Sequence, residues 1–305
     1  MDKISVVIPT HNRAHLLERA IKSVQAQTRA VDEIIVVSDG STDNTDEVVN
    51  ALKAKDERIR LISYQPAHNG NYARNQGLNA ASGDYIAFLD DDDEWLPKKV
   101  ELQLEVFAQN PEYGLVYTAQ NCIFSDVDLT YITKPIGCGD LSQSIFMRNY
   151  IGNPSQVMVK AEVLEKTGGF DLELGALQDY DLWVRCCQVT KIGYVSTPCI
   201  NYYNTSSTNQ VSANTEKYIK ARRYIAEKYK SITSSFSEPF QKKLAAHNEE
   251  KIALRCLRNG RKKDAREFAL ASIKIKPTKG GIEMFCASFV SYKTMLKLRR
   301  FFVHN

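Results

Sequence analysis

At 305 residues with 43% hydrophobic content, the chain can bury one large domain, or a domain with an appendage. No run approaches the roughly 18 unbroken apolar residues of a bilayer span, and Met1-Asp2-Lys3 leads into a strand pattern instead of a signal peptide, so a cytoplasmic protein is expected. The net charge of +4 conceals unlike parts, with 18 Lys and Arg against 28 Asp and Glu in residues 1–214 and 22 against 8 in residues 215–305; two modules with that boundary are predicted, the second suited to phosphates of nucleic acid or an anionic membrane.

In chain order, residues 4–8 read as a buried strand, and Leu17, Ala20, Ile21 and Val24 follow at the spacing of a helix packed on a sheet. Residues 33–38 give a second strand, Asp39-Gly40-Ser41-Thr42-Asp43 a turn, and Val48, Val49 and Leu52 mark a second helix. A third strand is expected over 60–63, a third helix over 72–81 and a fourth strand over 84–89, an order that predicts a mostly parallel sheet with helices on both faces. Beyond it come a helix over 98–108 and a strand over 114–117. Residues 120–150 lack periodicity and read as loop-rich. A strand over 155–159, a short helix over 161–166, a turn at Gly168-Gly169-Phe170-Asp171 and a helix over 180–188 follow. From Lys217 onward the pattern is helical, broken at Glu238-Pro239 and Asn259-Gly260, with a helix pair over 240–258 and 261–275 whose small residues Ala253, Gly260, Ala265 and Ala269 hint at tetratricopeptide-like packing. The seven cysteines, an odd number without a C-x-x-C pair, argue against a disulfide framework or structural zinc and read as reduced, mostly buried thiols.

Chemistry concentrates where Asp90 to Asp93 follow the apolar run Tyr85-Ile86-Ala87-Phe88-Leu89. Ligands of open α/β sheets collect at the carboxyl ends of strands. Two carboxylates about 5 Å apart repel by roughly 3 kcal/mol at an effective dielectric near 20, so such a run calls for a compensating cation. Mg²⁺ or Mn²⁺ suits hard oxygen ligands, and in an extended segment Asp90 and Asp92 would share a face as an Asp-x-Asp clamp. The alternative is a solvated acidic turn that opens the next helix. Pro9-Thr10-His11-Asn12, Asp39 to Asp43 and Gln178-Asp179-Tyr180-Asp181 also fall at expected strand or helix ends, where each could serve as a cap or could line a nucleotide site.

The strings Ser5-Val6-Val7-Ile8-Pro9-Thr10-His11-Asn12-Arg13, Val37-Ser38-Asp39-Gly40-Ser41-Thr42-Asp43, Ala73-Arg74-Asn75-Gln76-Gly77-Leu78 and Gly83-Asp84 through Asp93 closely resemble family 2 glycosyltransferases of the GT-A fold, over about residues 3–205. The resemblance implies an α/β nucleotide-diphospho-sugar transferase fold, and the helical pattern from Lys217 onward adds a C-terminal all-helical appendage. It also implies an inverting transferase moving a sugar from a nucleotide donor, most often a UDP-sugar, to an acceptor hydroxyl. Carried over by position, it puts Pro9, Thr10 and His11 beside the base, Asp39 on the uracil and Arg74 on the donor. Asp90 and Asp91 would address the ribose and metal shell, and Asp92, with Asp90, the Mn²⁺ or Mg²⁺ ion that bridges the phosphates. Asp179 resembles the general base, with Asp181 as competitor. Gln178 stands where relatives usually carry Glu, and Asn204 lies near where many carry a cation over the donor phosphates.

The expected setting is surface polysaccharide, capsule or lipopolysaccharide synthesis, with a glycan or lipid-linked glycan as acceptor. Residues 282–303 combine Met284, Phe285, Phe289, Phe301 and Phe302 with Lys293, Lys297, Arg299 and Arg300 and read as a basic amphipathic helix. It would either lie on the inner face of the plasma membrane or pack on the preceding helices. No nucleic-acid module accompanies the charge, so no nucleic-acid partner is expected. Two rivals stand beside the transferase: an aspartyl-nucleophile phosphotransferase, and an inactive nucleotide- or metal-binding scaffold.

Overall fold

Seven consecutive buried residues make β1 (Ile4–Thr10) the centre of a parallel sheet, because a strand covered by helices on both faces needs a continuous apolar run. A computed structural model describes residues 2–126, 128–204 and 214–289. In it α1 (Ala14–Gln25) buries Leu17, Ala20, Ile21 and Val24, and β2 (Glu33–Asp39) pairs in parallel with β1. α2 (Thr45–Lys53) leads to β3 (Ile59–Tyr64), parallel to β2, and α3 (Gly70–Ala80) leads to β4 (Tyr85–Phe88), parallel to the other side of β1. The carboxyl ends of β1, β2 and β4 therefore share one edge of the sheet, where Thr10, Asp39 and Asp90 emerge.

The remaining strands mix directions. β5 (Glu94–Trp95) is followed by α4 (Lys99–Gln109), β6 (Tyr113–Phe124), β7 (Leu129–Thr133) and β8 (Met158–Lys160). Next come α5 (Ala161–Thr167), α6 (Gln178–Val189) and β9 (Lys191–Asn204). The sheet order is β3-β2-β1-β4-β8-β6-β9-β5, with β7 paired to β6. β8 runs antiparallel to both β4 and β6, whereas β6 and β9 are parallel with register shifts near Thr118 and Ala119.

Three sequence expectations change here. The segment read as loop-rich from residue 120 contains the end of β6 and a hairpin to β7, whose five residues are all exposed. An edge strand without a buried face has no period-two pattern to detect. β9, the longest strand, was not expected at all: Pro198 interrupts its sequence, and the register shifts absorb that interruption. The strand expected over 155–159 is shorter, because Pro154–Gln156 forms a single 3₁₀ turn before β8.

Contacts divide the chain into two units, residues 2–173 with 178–204, and residues 174–177 with 214–289. The second unit contains α7 (Thr215–Lys228), α8 (Lys230–Thr233), α9 (Glu238–Arg258), α10 (Lys262–Ile275) and α11 (Lys279–Ala287). α9 and α10 are the expected helix pair, with Pro239 in the first turn of α9 and Ala253, Ala265 and Ala269 buried. The expected basic helix continues past Phe289, and that continuation lies outside the described residues. No helix among the described residues is long and apolar enough to cross a membrane. All seven cysteines are free, and five are buried.

Gly40 ties the sheet edge together. Its φ of +65° is a left-handed conformation, and a Cβ there would lie 2.3 Å from Ala67 N, so the loop after β3 closes directly over the end of β2. Gly40→Ala is expected to destabilise the fold by about 1–3 kcal/mol, measured as a lower urea midpoint at unchanged m-value.

Candidate functional site

Leu89 N–H donates to Val7 O at 3.0 Å as the chain leaves β4, and Asp93 N–H then donates to Asp90 O at 3.0 Å. The four aspartates thus form a turn and not the extended segment expected from their sequence. Ser155, in the 3₁₀ turn before β8, accepts from Asp90 N–H at 3.0 Å and donates its hydroxyl to Asp93 Oδ2 at 2.5 Å. Asp93 is fully buried and its Oδ1 has no hydrogen-bond partner among the described residues; burial first, and then the charge of Asp90, push its carboxyl well above the usual range.

Each of the other three acids has a different partner. Asp91 accepts from Thr10 Oγ1 at 2.7 Å and from Arg13 Nη1 at 2.9 Å, yet burial outweighs Arg13 and raises its carboxyl to about 6. Asp92 is the accessible acid, its side chain 39% exposed, with Oδ2 at 2.9 Å from the same Arg13 Nη1. Burial and the charge of Asp90 raise its carboxyl against the pull of Arg13. Asp90 accepts from Arg74 Nη2 at 2.5 Å. Arg19 Nη2 donates to Asp92 O at 2.5 Å, and its guanidinium stacks 4.0 Å above the ring of Tyr203. Tyr203 OH and Asn201 Nδ2 both donate to Glu94 Oε2 at 2.8 Å, so the acid that follows the run fastens β5 to β9.

The nucleotide-side residues also converge. Pro9 is buried within β1, where it shapes the strand end without offering a donor. His11 Nδ1 donates to Asp39 O at 2.6 Å, and the buried Asp39 side chain accepts from His68 N–H at 2.8 Å. His68 is exposed in the loop before α3, and its ring stacks on Tyr72 with centroids 4.2 Å apart. Asn12, at φ 52°, accepts from the backbone of Thr42 and Asp43, locking the first turn to the second.

Arg74 lies on α3 beside Asn75, a residue to which the sequence reading assigned no role of its own. Asn75 accepts from Phe170 N–H at 2.7 Å and donates to Phe170 O at 2.8 Å, and a Cβ on Gly169 would sit 2.2 Å from its Oδ1. The Gly-Gly-Phe turn is thereby strapped to α3, with Arg74 5.4 Å from the Phe170 ring centroid. The signal was in the sequence, in Asn75 directly after Arg74 and in two adjacent glycines.

Asp179 stands in the first turn of α6, partly buried, with Oδ1 accepting from Tyr180 N–H at 2.7 Å. Burial raises its carboxyl to about 6; the Tyr180 N–H and the positive charge of Arg74 oppose the shift, and the charge of Asp90 adds to it. Asp181 is fully buried and ion-paired to Arg185 Nη2 at 2.9 Å, while Arg185 Nη1 donates to Thr167 O at 2.5 Å. That pair fastens α6 to the end of α5. Asp179 forms no ion pair among the described residues, so it is the carboxylate of the two left available for chemistry.

Among the described residues no three or more His, Cys, Asp or Glu side chains converge as a closed cation cage. Asp90 and Asp92 instead make an open pair whose mutual repulsion a divalent ion would relieve. An ion held by one or two carboxylates and completed by phosphate oxygens is the coordination that Mg²⁺ favours, and Mn²⁺ takes similar oxygen ligands.

A family model described as Glycosyl transferase family 2 matches residues 5–167. An uncharacterized glycosyltransferase of Haemophilus influenzae is 31% identical over 232 residues, 74% of this chain and 76% of that protein. WfgD of Escherichia coli, a UDP-Glc:alpha-D-GlcNAc-diphosphoundecaprenol beta-1,3-glucosyltransferase, is 29% identical across 71% of this chain and 82% of its own length. A Campylobacter jejuni GalNAc(5)-diNAcBac-PP-undecaprenol beta-1,3-glucosyltransferase is 43% identical, but over only 40% of this chain and 39% of that protein. Among solved structures, residues 1–349 of S. aureus TarS in complex with UDP-GlcNAc superpose with a TM-score of 0.64 at 15% identity, covering 93% of this chain and 90% of that one. A mannosyltransferase of Pyrobaculum calidifontis in complex with GDP-Man and Mn2+ gives 0.61 at 17% identity, covering 97% and 83%. These likenesses show the GT-A fold.

Ser155→Ala would leave Asp93 Oδ2 and the Asp90 N–H without their partner in a buried setting. The expected cost is about 1–3 kcal/mol of stability, read by thermal or urea denaturation, and Ser155→Thr is expected to recover part of it.

Proposed function

The chain belongs to glycosyl transferase family 2, and we propose that it moves a sugar, with inversion, from a UDP-sugar to a hydroxyl of a lipid-linked glycan during surface polysaccharide synthesis. The observation that carries this reading is the acid turn at the carboxyl end of β4, closed by Asp93 N–H on Asp90 O, with Asp90 ion-paired to Arg74 at 2.5 Å and Asp92 left accessible. The family match sets aside the aspartyl-nucleophile phosphotransferase. Relatives whose printed names specify undecaprenol-linked substrates support the acceptor class.

In this reading Thr10, His11 and Asp39 receive the nucleobase, Asp39 accepting from its N–H while His68 N–H holds the carboxylate in place. Arg74 orients Asp90 and contributes positive charge toward the donor. Asp91, buried between Thr10 and Arg13, fixes the turn beside the ribose. Asp92, with Asp90, would hold Mn²⁺ or Mg²⁺, which when bound neutralises charge on the departing diphosphate. Asp179 accepts the proton of the attacking hydroxyl, so the nucleophile approaches the anomeric carbon from the face opposite the leaving group. The helical unit is positively charged, with 22 Lys and Arg against 8 Asp and Glu in residues 215–305, and that excess suits an anionic bilayer surface where such acceptors reside.

Two variants separate donor binding from chemistry. Asp92→Ala is expected to abolish Mn²⁺-dependent UDP-sugar binding in a calorimetric or thermal-shift titration. Asp179→Asn is expected to keep that binding and to lose about 10²–10⁴-fold in transfer rate. Full transfer by Asp179→Asn would remove it from the role of base, and a panel of UDP-sugars with neither metal-dependent binding nor turnover would overturn the transferase reading.

The pH profile gives a further check. A base must be ionised, so with the Asp179 carboxyl raised to about 6, kcat/KM should climb as pH rises through that value and level off above it. A flat profile between pH 5 and 7, where the raised carboxyl changes charge, would contradict the assignment.

A further inference from the structure

Three arginines approach the acid turn, and two are committed. Arg74, with its side chain 12% exposed, is bound to Asp90, and Arg19 is bound to the Asp92 carbonyl and stacked on Tyr203. β9 ends in Tyr202-Tyr203-Asn204 and brings no cation to this edge. Arg13 differs from the other two. It is the residue immediately before α1, its side chain is 48% exposed, and the single atom Nη1 meets both Asp91 Oδ1 and Asp92 Oδ2 at 2.9 Å. A guanidinium carries five N–H donors in a planar fork, so the donors on Nε and Nη2, which make no hydrogen bond among the described residues, stay available to a second acceptor.

Asp91 and Asp92 hold Arg13 unequally. Asp91 is deeply buried and also bound by Thr10, so its tie to Arg13 belongs to the framework. Asp92 is open to solvent, and it is the oxygen ligand that the functional reading gives to a divalent cation. A guanidinium and a divalent ion on one carboxylate repel each other; Arg74, 12% exposed, is held at Asp90, whereas Arg13, 48% exposed, is free to withdraw from Asp92. The planar fork is well matched to phosphate oxygens, and the first turn of α1 adds the positive end of a helix dipole beside it.

We propose that Arg13 competes with the divalent cation for Asp92, and that when the cation takes this carboxylate Arg13 keeps its hold on Asp91 and turns its free donors to the diphosphate of the nucleotide. Arg13 is then a donor-binding residue that opposes metal binding without nucleotide and favours nucleotide binding once metal is present. Metal and nucleotide therefore load cooperatively, because each removes an unfavourable contact that the other would face. This inference rests on the reading of Asp92 as metal ligand.

The test uses the full chain with Mn²⁺ alone and with UDP as probes. Mn²⁺ binding without nucleotide, followed by electron paramagnetic resonance, is expected to tighten about tenfold in Arg13→Gln, since the competing charge is gone. UDP binding at saturating Mn²⁺, followed by calorimetry, is expected to weaken about tenfold in the same variant. Arg13→Lys keeps a charge without the fork and is expected to resemble wild type for Mn²⁺ alone while still binding UDP more weakly. Opposite signs in the two titrations cannot come from general loss of structure, which would weaken both. Arg13→Gln weakening both ligands, or changing neither, would overturn the competition. Failure of the underlying reading looks different: wild type and Asp92→Ala would then bind Mn²⁺ equally in the presence of UDP.

Discussion

The acid turn at the end of β4 is the constraint around which this sheet edge is built. Repulsion of roughly 3 kcal/mol between carboxylates about 5 Å apart must be offset at each close pair, and the compensating groups come from separate parts of the chain. Thr10 comes from β1, Arg13 and Arg19 from the segment that opens and forms α1, Arg74 from α3, and Ser155 from the turn before β8. Holding the acids together thus also holds those elements in register at the edge. The turn itself is closed by the Asp93 N–H to Asp90 O bond and by buried Ser155.

α3 carries the second half of the argument. Arg74 faces the acid turn while Asn75, one residue on, grips both backbone groups of Phe170. Phe170 belongs to the turn that follows α5, and Arg185 on α6 donates to the carbonyls of Thr167 and Gly168 at the start of that turn. The position of Asp179 relative to the acid turn is therefore set by short links through α3, the glycine turn and α6. A displacement at any of them would move Asp179 relative to the acid turn.

Much of this was legible in the sequence where one face of an element is buried. The alternation of strand and helix through β4 follows from apolar runs and helical spacing, and the same holds for α9 and α10. What escaped has physical causes. β7 has no buried side, so it leaves no periodic trace, and β9 contains a proline that reads as a break. The acids at 90 to 93 were legible as a site but not as a turn, because the bonds that bend them come from Ser155, 62 residues beyond Asp93. The difference between Asp179 and Asp181 was of the same kind: Arg185 pairs with Asp181, which helical spacing allows but does not require.

The direction of the carboxyl shifts separates the acids of this edge from acids elsewhere in the first unit. Asp56, gripped by Arg58 and by Gln25, is held well below the usual range, and Glu33, supported by Ser5, Ser82 and Arg60, is lowered in spite of its burial. Such groups add stability above their unfolded pKa, and that contribution is lost as pH falls through the folded value. Asp91, Asp92, Asp93 and Asp179 are all shifted upward, with burial as the largest cause. For them the sign reverses: the folded state holds the proton more tightly, so their ionisation lowers stability as pH rises from the unfolded value to the folded one. The fold therefore favours the protonated form of four carboxyls at this edge and the ionised form of Asp56 and Glu33 elsewhere. A cation bound to the ionised turn would relieve part of that cost and so would link occupancy of the site to stability.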